Sequence, residues 1–113
     1  MTPDEARALA HLCGEGAEEF QESGLRLFWL PRIDLPSGCL PTPMFGVYVA
    51  SPLDGYASRL FLEQPVRMAD GTIPPTAARV LLGRTVHSAS INNVPASLSP
   101  HQAVLAHLRR YGP

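Results

Sequence analysis

Residues 35–71, LPSGCLPTPMFGVYVASPLDGYASRLFLEQPVRMADG, decide the fold. Phe45-Gly46-Val47-Tyr48-Val49 and Leu60-Phe61-Leu62 are short, apolar and rich in β-branched and aromatic residues. They are too brief for helices and read as strands. Between them Pro52-Leu53-Asp54-Gly55-Tyr56 is dense in turn formers, so the two runs form consecutive arms of an antiparallel meander. Ahead of them Pro36, Pro41 and Pro43 hold a tight loop around Gly38-Cys39. Behind them Asp70-Gly71 closes the end of a fourth short strand over 67–71.

Outward from this stretch, residues 25–30 read as another strand. Phe28, Trp29 and Leu30 are apolar on both faces, as in a sheet covered on both sides, and Trp29 is expected as a core anchor. Pro31 lacks an amide proton, so the strand should stop there or continue through a bulge to Ile33 and Leu35. Residues 2–13 have the marks of a helix: Thr2 at the N-cap, Pro3 at the first turn, and Glu5 to complete a capping box. Leu9, Leu12 and Cys13 share a face with Ala6. Gly14 and Gly16 break this helix, with one further turn expected over 17–22. From 72 to 95 the periodicity is poor. Pro74-Pro75, Gly83 and Asn92-Asn93 suggest a long irregular flap. Residues 99–111 read as a second helix, with Ser99 as cap and Val104, Leu105, Leu108 and Tyr111 as the inner stripe; His101 and His107 fall off it. The expected architecture is α+β: N-terminal helix, three- to four-stranded antiparallel meander, irregular flap and C-terminal helix, in one domain spanning 1–113.

Composition narrows the functional classes. A chain of 113 residues with an apolar fraction of 45% supports one modest core, and a net charge of −1 offers no long-range field for nucleic acid. The longest apolar run, 27–31, is far short of the ~20 residues of a membrane span. No basic region followed by an apolar stretch opens the chain, so a cytoplasmic location is expected. All nine basic residues are arginine. Codon bias in a GC-rich genome accounts for this; so does chemistry that handles activated acyl groups, to which a lysine-free chain offers no side-chain amine. Cys13 and Cys39 make no disulfide framework, no Cys or His pair has metal spacing, and no glycine-rich phosphate loop is present, so no cofactor or metal is expected.

The order of elements resembles the core of the ubiquitin-conjugating-enzyme fold. In that fold a helix precedes a four-stranded meander, a proline-bearing turn joins the third and fourth strands, and a flap with the catalytic cysteine leads to a helix. Pro52 to Tyr56 resemble the Pro/Tyr turn. The loop Leu35-Pro36-Ser37-Gly38-Cys39-Leu40-Pro41, the Gly55-Tyr56 pair, Pro65 to Gly71 and Gly83-Arg84 resemble a compact prokaryotic branch. In that branch an LPxGCxP loop, a GYP turn and a proline-to-glycine strand end recur. The departures are specific: the flap has neither cysteine nor an HPN tripeptide, and the turn reads Gly-Tyr-Ala.

The resemblance implies a bacterial ubiquitin-like modification pathway. Its partners would be a ubiquitin-like modifier, an activating-enzyme-like protein and a deconjugating metallopeptidase. An active member would need Cys39 as thioester carrier, His87 as general base and Asn92 as oxyanion donor. Each residue also has a plain reading: Cys39 as a structural loop thiol, His87 as a solvated loop histidine, and Asn92-Asn93 as a turn pair. The alternatives are a catalytically inert docking module of the same fold, which the missing flap cysteine favours, and a scaffold subunit of a larger complex.

Overall fold

The computed structural model describes residues 1–89 and 93–112. Helix α1 (Pro3–Cys13) is followed by strands β1 (Glu18–Glu22), β2 (Leu25–Ile33), β3 (Met44–Val49), β4 (Arg59–Leu62), β5 (Thr76–Leu81) and β6 (Arg84–Ala89). Helix α2 (Pro100–Leu108) ends in a 3₁₀ turn, Arg109–Tyr111. The strands form one antiparallel sheet in the order β1-β2-β3-β4-β6-β5.

The expected meander is present as β2, β3 and β4. The residues expected as a fourth strand contribute only a bridge, Leu40 to Arg67. Pro31 falls where the β2–β3 register shifts between Leu30 and Ile33, and β1 pairs no further than Trp29. A residue without an amide proton therefore sits where the ladder makes no demand on it.

Two expectations are corrected. Residues 18–22 are a strand, not a helical turn. The flap is not irregular throughout: it holds the β5–β6 hairpin, so the sheet has six strands rather than three or four. Both errors have one cause. Ser23-Gly24 and Leu82-Gly83 are two-residue turns with positive φ at both positions (51° and 77°; 52° and 74°), and Asp54-Gly55 repeats the geometry (54° and 86°). This is the turn whose twist matches that of a hairpin. It imposes strand pairing on flanks of weak β-propensity.

Alternation along the strands separates two apolar layers. Phe28, Leu30, Tyr48, Leu60 and Leu62 face the helices and pack with Leu9 and Cys13 of α1 and with Ala103, Val104 and Leu108 of α2. Leu27, Val47, Val49 and Phe61 point the other way and meet Leu81 and Val86 of the hairpin. β6 joins β4 through a single pair, Leu62 with His87. The hairpin then folds across the helix-free face, and the Leu82 N–H at its tip donates to Glu22 Oε2 at 3.1 Å.

The helix ends also differ in part from expectation. Thr2 caps α1, accepting from the Glu5 N–H at 3.2 Å. The Ser99 hydroxyl makes no cap bond and lies 3.3 Å from His101 Nδ1 instead. The inner stripe of α2 is rotated from the expected one: Leu105 is 41% exposed, whereas His107 is 2% exposed. Among the described residues no helix is long and apolar enough to cross a membrane.

Candidate functional site

The loop carrying Cys39 is pressed onto the segment around Arg67. Leu40 and Arg67 exchange backbone hydrogen bonds of 2.9 and 2.7 Å. Gly38 has φ +87°, and a Cβ on it would lie 2.7 Å from that of Ala69. Only glycine permits that approach in that conformation. The consequence is that Cys39 turns inward, not outward as a thioester carrier would need. It is 1% exposed, and its Sγ donates to the Tyr111 carbonyl at 3.2 Å. A carrier thiol must be reached by a second protein and must ionise; this one is covered by the end of the C-terminal helix and already has a hydrogen-bond acceptor. Cys13 is equally buried, and burial, followed by the charge of Asp34, pushes its thiol up to about 12.

His87 lies on β6 opposite Leu62 and Ala78, and no hydrogen bond joins it to Cys39. Asn92 lies outside the described residues. Its neighbour Asn93 uses Oδ1 to accept the Ala57 N–H at 2.8 Å, as a turn-fastening side chain does. Ser88 is buried and donates to the Ala89 carbonyl at 3.4 Å. Of the residues expected to act together, Cys39 and His87 therefore sit on separate elements with no hydrogen bond between them.

Two other groups of side chains are. Asp54, in the turn before β4, bridges Arg59 Nη1 at 2.8 Å and Arg79 Nη2 at 3.2 Å. Arg59 is buried and lies over the rings of Tyr56 (4.8 Å) and Phe61 (5.3 Å). This network ties the hairpin to the β3–β4 turn. On the helix side, Ser58 Oγ donates to the Val94 carbonyl at 2.6 Å and lies 3.0 Å from His107 Nε2. A hydroxyl has one proton, so His107 Nε2 must carry the proton of the second contact. That leaves His107 Nδ1 as a bare lone pair. It has no partner among the described residues, and the Tyr48 ring lies 5.9 Å from the imidazole. Burial and then the charge of Arg59 lower the His107 pKa to about 4. The cluster is sealed from solvent, so it is part of the core rather than a place for substrate.

The open feature is on the other face of the sheet. Arg84, the first residue after the Leu82-Gly83 turn, holds its guanidinium 5.0 Å from the Trp29 ring centroid and 5.1 Å from that of Phe45. The two rings are 5.0 Å apart. Such cation–π contacts contribute roughly 0.5–2 kcal/mol each, depending on solvation. Two clefts meet at this arginine. One, of about 450 Å³, is walled by Trp29, Pro31, Pro43, Met44, Phe45 and Glu63. The other, of about 350 Å³, lies between Phe20, Trp29 and Leu82. Both volumes fall in the range of small-ligand sites, ~300–1,000 Å³. Trp29, expected as a core anchor, is instead partly exposed as the shared wall. The signal in the sequence was weak: Gly83-Arg84 drew notice only for its place in a motif, and nothing local tied Arg84 to Trp29.

Comparison with protein-family models, curated proteins and solved structures gave no match to this chain. Among the described residues no group of three His, Cys, Asp or Glu side chains is placed to hold a metal ion.

Proposed function

We propose that this chain is a ubiquitin-conjugating-enzyme-like docking module without a transfer step of its own, holding a protein of a ubiquitin-like modification pathway against the Trp29–Phe45–Arg84 face. One observation carries the reading: the single cysteine in the conjugating-enzyme-like loop is buried with its proton engaged, while the aromatic face around Arg84 is open. Support for the family comes from the motifs at 35–41, 52–56 and 65–71, together with a helix, an antiparallel meander and a closing helix in that order. The partner is a ubiquitin-like modifier or its activating-enzyme-like protein.

The test is a charging reaction with the cognate activating enzyme, modifier and ATP. Docking predicts a stable complex and no reducible adduct. A thiol-reducible adduct that disappears in Cys39→Ser would establish a carrier and refute docking. Failure to bind either protein would leave the scaffold alternative.

A further inference from the structure

We infer that the Arg84 cleft binds a peptide segment in which one carboxylate is flanked by apolar side chains. The inference rests on the docking reading for its biological setting and on the geometry of the cleft for its chemistry.

Arg84 has no carboxylate partner among the described residues and is placed to take an anion. Arg7, Arg26, Arg32, Arg59 and Arg79 each pair with an Asp or Glu. Arg84, fixed over two rings, makes no ion pair among the described residues. A guanidinium held over aromatic rings still has N–H donors to offer a planar, bidentate acceptor.

The surrounding charge selects a carboxylate over a phosphate. Glu63 stands on the wall of the larger cleft. Glu22 lies beside the smaller one, held by the Leu82 N–H. The other arginine of the larger cleft, Arg32, is engaged by Asp34 at 3.1 Å. With two carboxylates already beside this one cation, each further negative charge meets repulsion, so a monoanion is the better fit. A phosphate near −2 would meet uncompensated repulsion.

The flanking shape selects a peptide. The two clefts share only Trp29 and Arg84, so when an extended peptide sets an acid side chain at Arg84, the side chains two residues before and after it, which share its face, fall one into each cleft. Phe20 and Leu82 receive one of them; Pro43, Met44 and Phe45 receive the other. Glu63 contributes a second anchor. Its Oε1 accepts the Phe45 N–H at 3.4 Å, and its other oxygen faces no donor among the described residues, so it is available to a peptide N–H.

Trp29 is the only tryptophan in the chain, so its emission reports this cleft directly. The probe is the blocked peptide Leu-Ala-Glu-Ala-Leu, titrated against the full chain, with the Gln-centred and phosphoserine-centred peptides as comparators. The Glu peptide should shift Trp29 emission saturably and bind about tenfold more tightly than the Gln peptide, in keeping with a charge-assisted hydrogen bond. Arg84→Gln should bring the two peptides to equal affinity, and Arg84→Lys should keep part of the difference. Circular dichroism establishes that each variant is folded. Equal responses to the Glu and Gln peptides, a tighter response to the phosphopeptide, or no response would each overturn the inference. The outcome separates from that of the docking reading. Pathway partners that bind Arg84→Gln unchanged sink the inference and leave docking standing. Peptide binding with no pathway partner does the reverse.

Discussion

Acidification isolates His107 from the rest of the chain. The imidazole is 2% exposed, its Nε2–H is given to Ser58 Oγ, and Ser58 has already committed its own proton to Val94. A second proton would have to sit on Nδ1, in the core, with the Arg59 charge nearby, which is why the folded pKa falls from 6.5 to about 4. In the unfolded chain the ring titrates normally, near 6.5. Between these values the unfolded state binds a proton that the folded state refuses, so stability rises with pH there. The contribution is complete above about pH 6.5, is lost as pH falls towards 4, and changes little below that. The gap corresponds to about 3 kcal/mol, a large part of the ~5–15 kcal/mol typical of a domain. Asp70 and Glu19 are held low by hydrogen bonds, from Thr72 and from Arg26 respectively, so their losses begin only in the carboxylate range. Both are exposed enough for solvent to screen them. The assay is urea unfolding of the wild type and His107→Gln at intervals from about pH 7 to about pH 4, with the His107 ring proton followed by NMR. The wild type should lose about 3 kcal/mol relative to the variant over this window, and the His107 resonance should not move above about pH 5. Parallel stability curves, or a His107 resonance titrating near 6.5, would refute the assigned tautomer and burial.

Gly46 lies between Leu30 and Leu62 in the sheet, where an added Cβ would strike Ile33 Cδ1 and come within 2.9 Å of the Phe61 carbonyl. Gly46→Ala should therefore cost about 1–3 kcal/mol in denaturant unfolding; a neutral effect would contradict this packing. Leu105→Ala should change stability by no more than about 0.5 kcal/mol, because its side chain faces solvent. A loss of several kcal/mol would mean that α2 is rotated from the orientation described. Asp54→Asn leaves the buried Arg59 short of its carboxylate and should cost about 1.5–3 kcal/mol, with Asp54 itself 40% exposed. An unchanged unfolding midpoint would show that the two arginines find other partners. Both thiols should resist a small alkylating reagent in the native protein and react on unfolding. Rapid native labelling of Cys39 would reopen the carrier role.

The sequence exposed those strands that are short, continuous apolar runs buried on both faces in the middle of the sheet. Met44 to Val49 and Arg59 to Leu62 needed no tertiary information, and Pro31 even marked the bulge in β2. The edges were harder for a physical reason. β1 is Glu-Glu-Phe-Gln-Glu, four polar residues of good helix propensity around one aromatic. Such charge on an edge discourages unwanted pairing but also erases the strand signal. β5 and β6 are joined through Leu82 at φ 52°, a conformation leucine rarely takes, so the turn carries half of the usual Asn-Gly or Asp-Gly signature. Leu105 and His107 exchange the places that their polarity alone predicts. A histidine whose one donor and ring faces are satisfied by Ser58 and Tyr48 can be buried where a leucine is not.

The candidate site failed to show in the sequence for a related reason. Cys39, His87 and Asn92 share only a suitable chemical type, and the fold sets the first two on separate elements. The cleft that does form depends on register. Trp29 pairs with Val47 across β2 and β3, and Phe45 projects from the same face two residues away. The two rings are thereby set side by side, and a hairpin anchored elsewhere, at Glu22 and Asp54, sets Arg84 above them. None of these relations is local. They depend on a two-residue turn that also keeps Leu82 in a strained conformation, and local strain of that kind persists only where the surroundings over-determine it. The anchors at the hairpin tip and at Arg79 in the middle of β5 supply that determination. The position of Arg84 over Trp29 and Phe45 is therefore a built feature of the curled sheet, not a chance resting place for a long side chain.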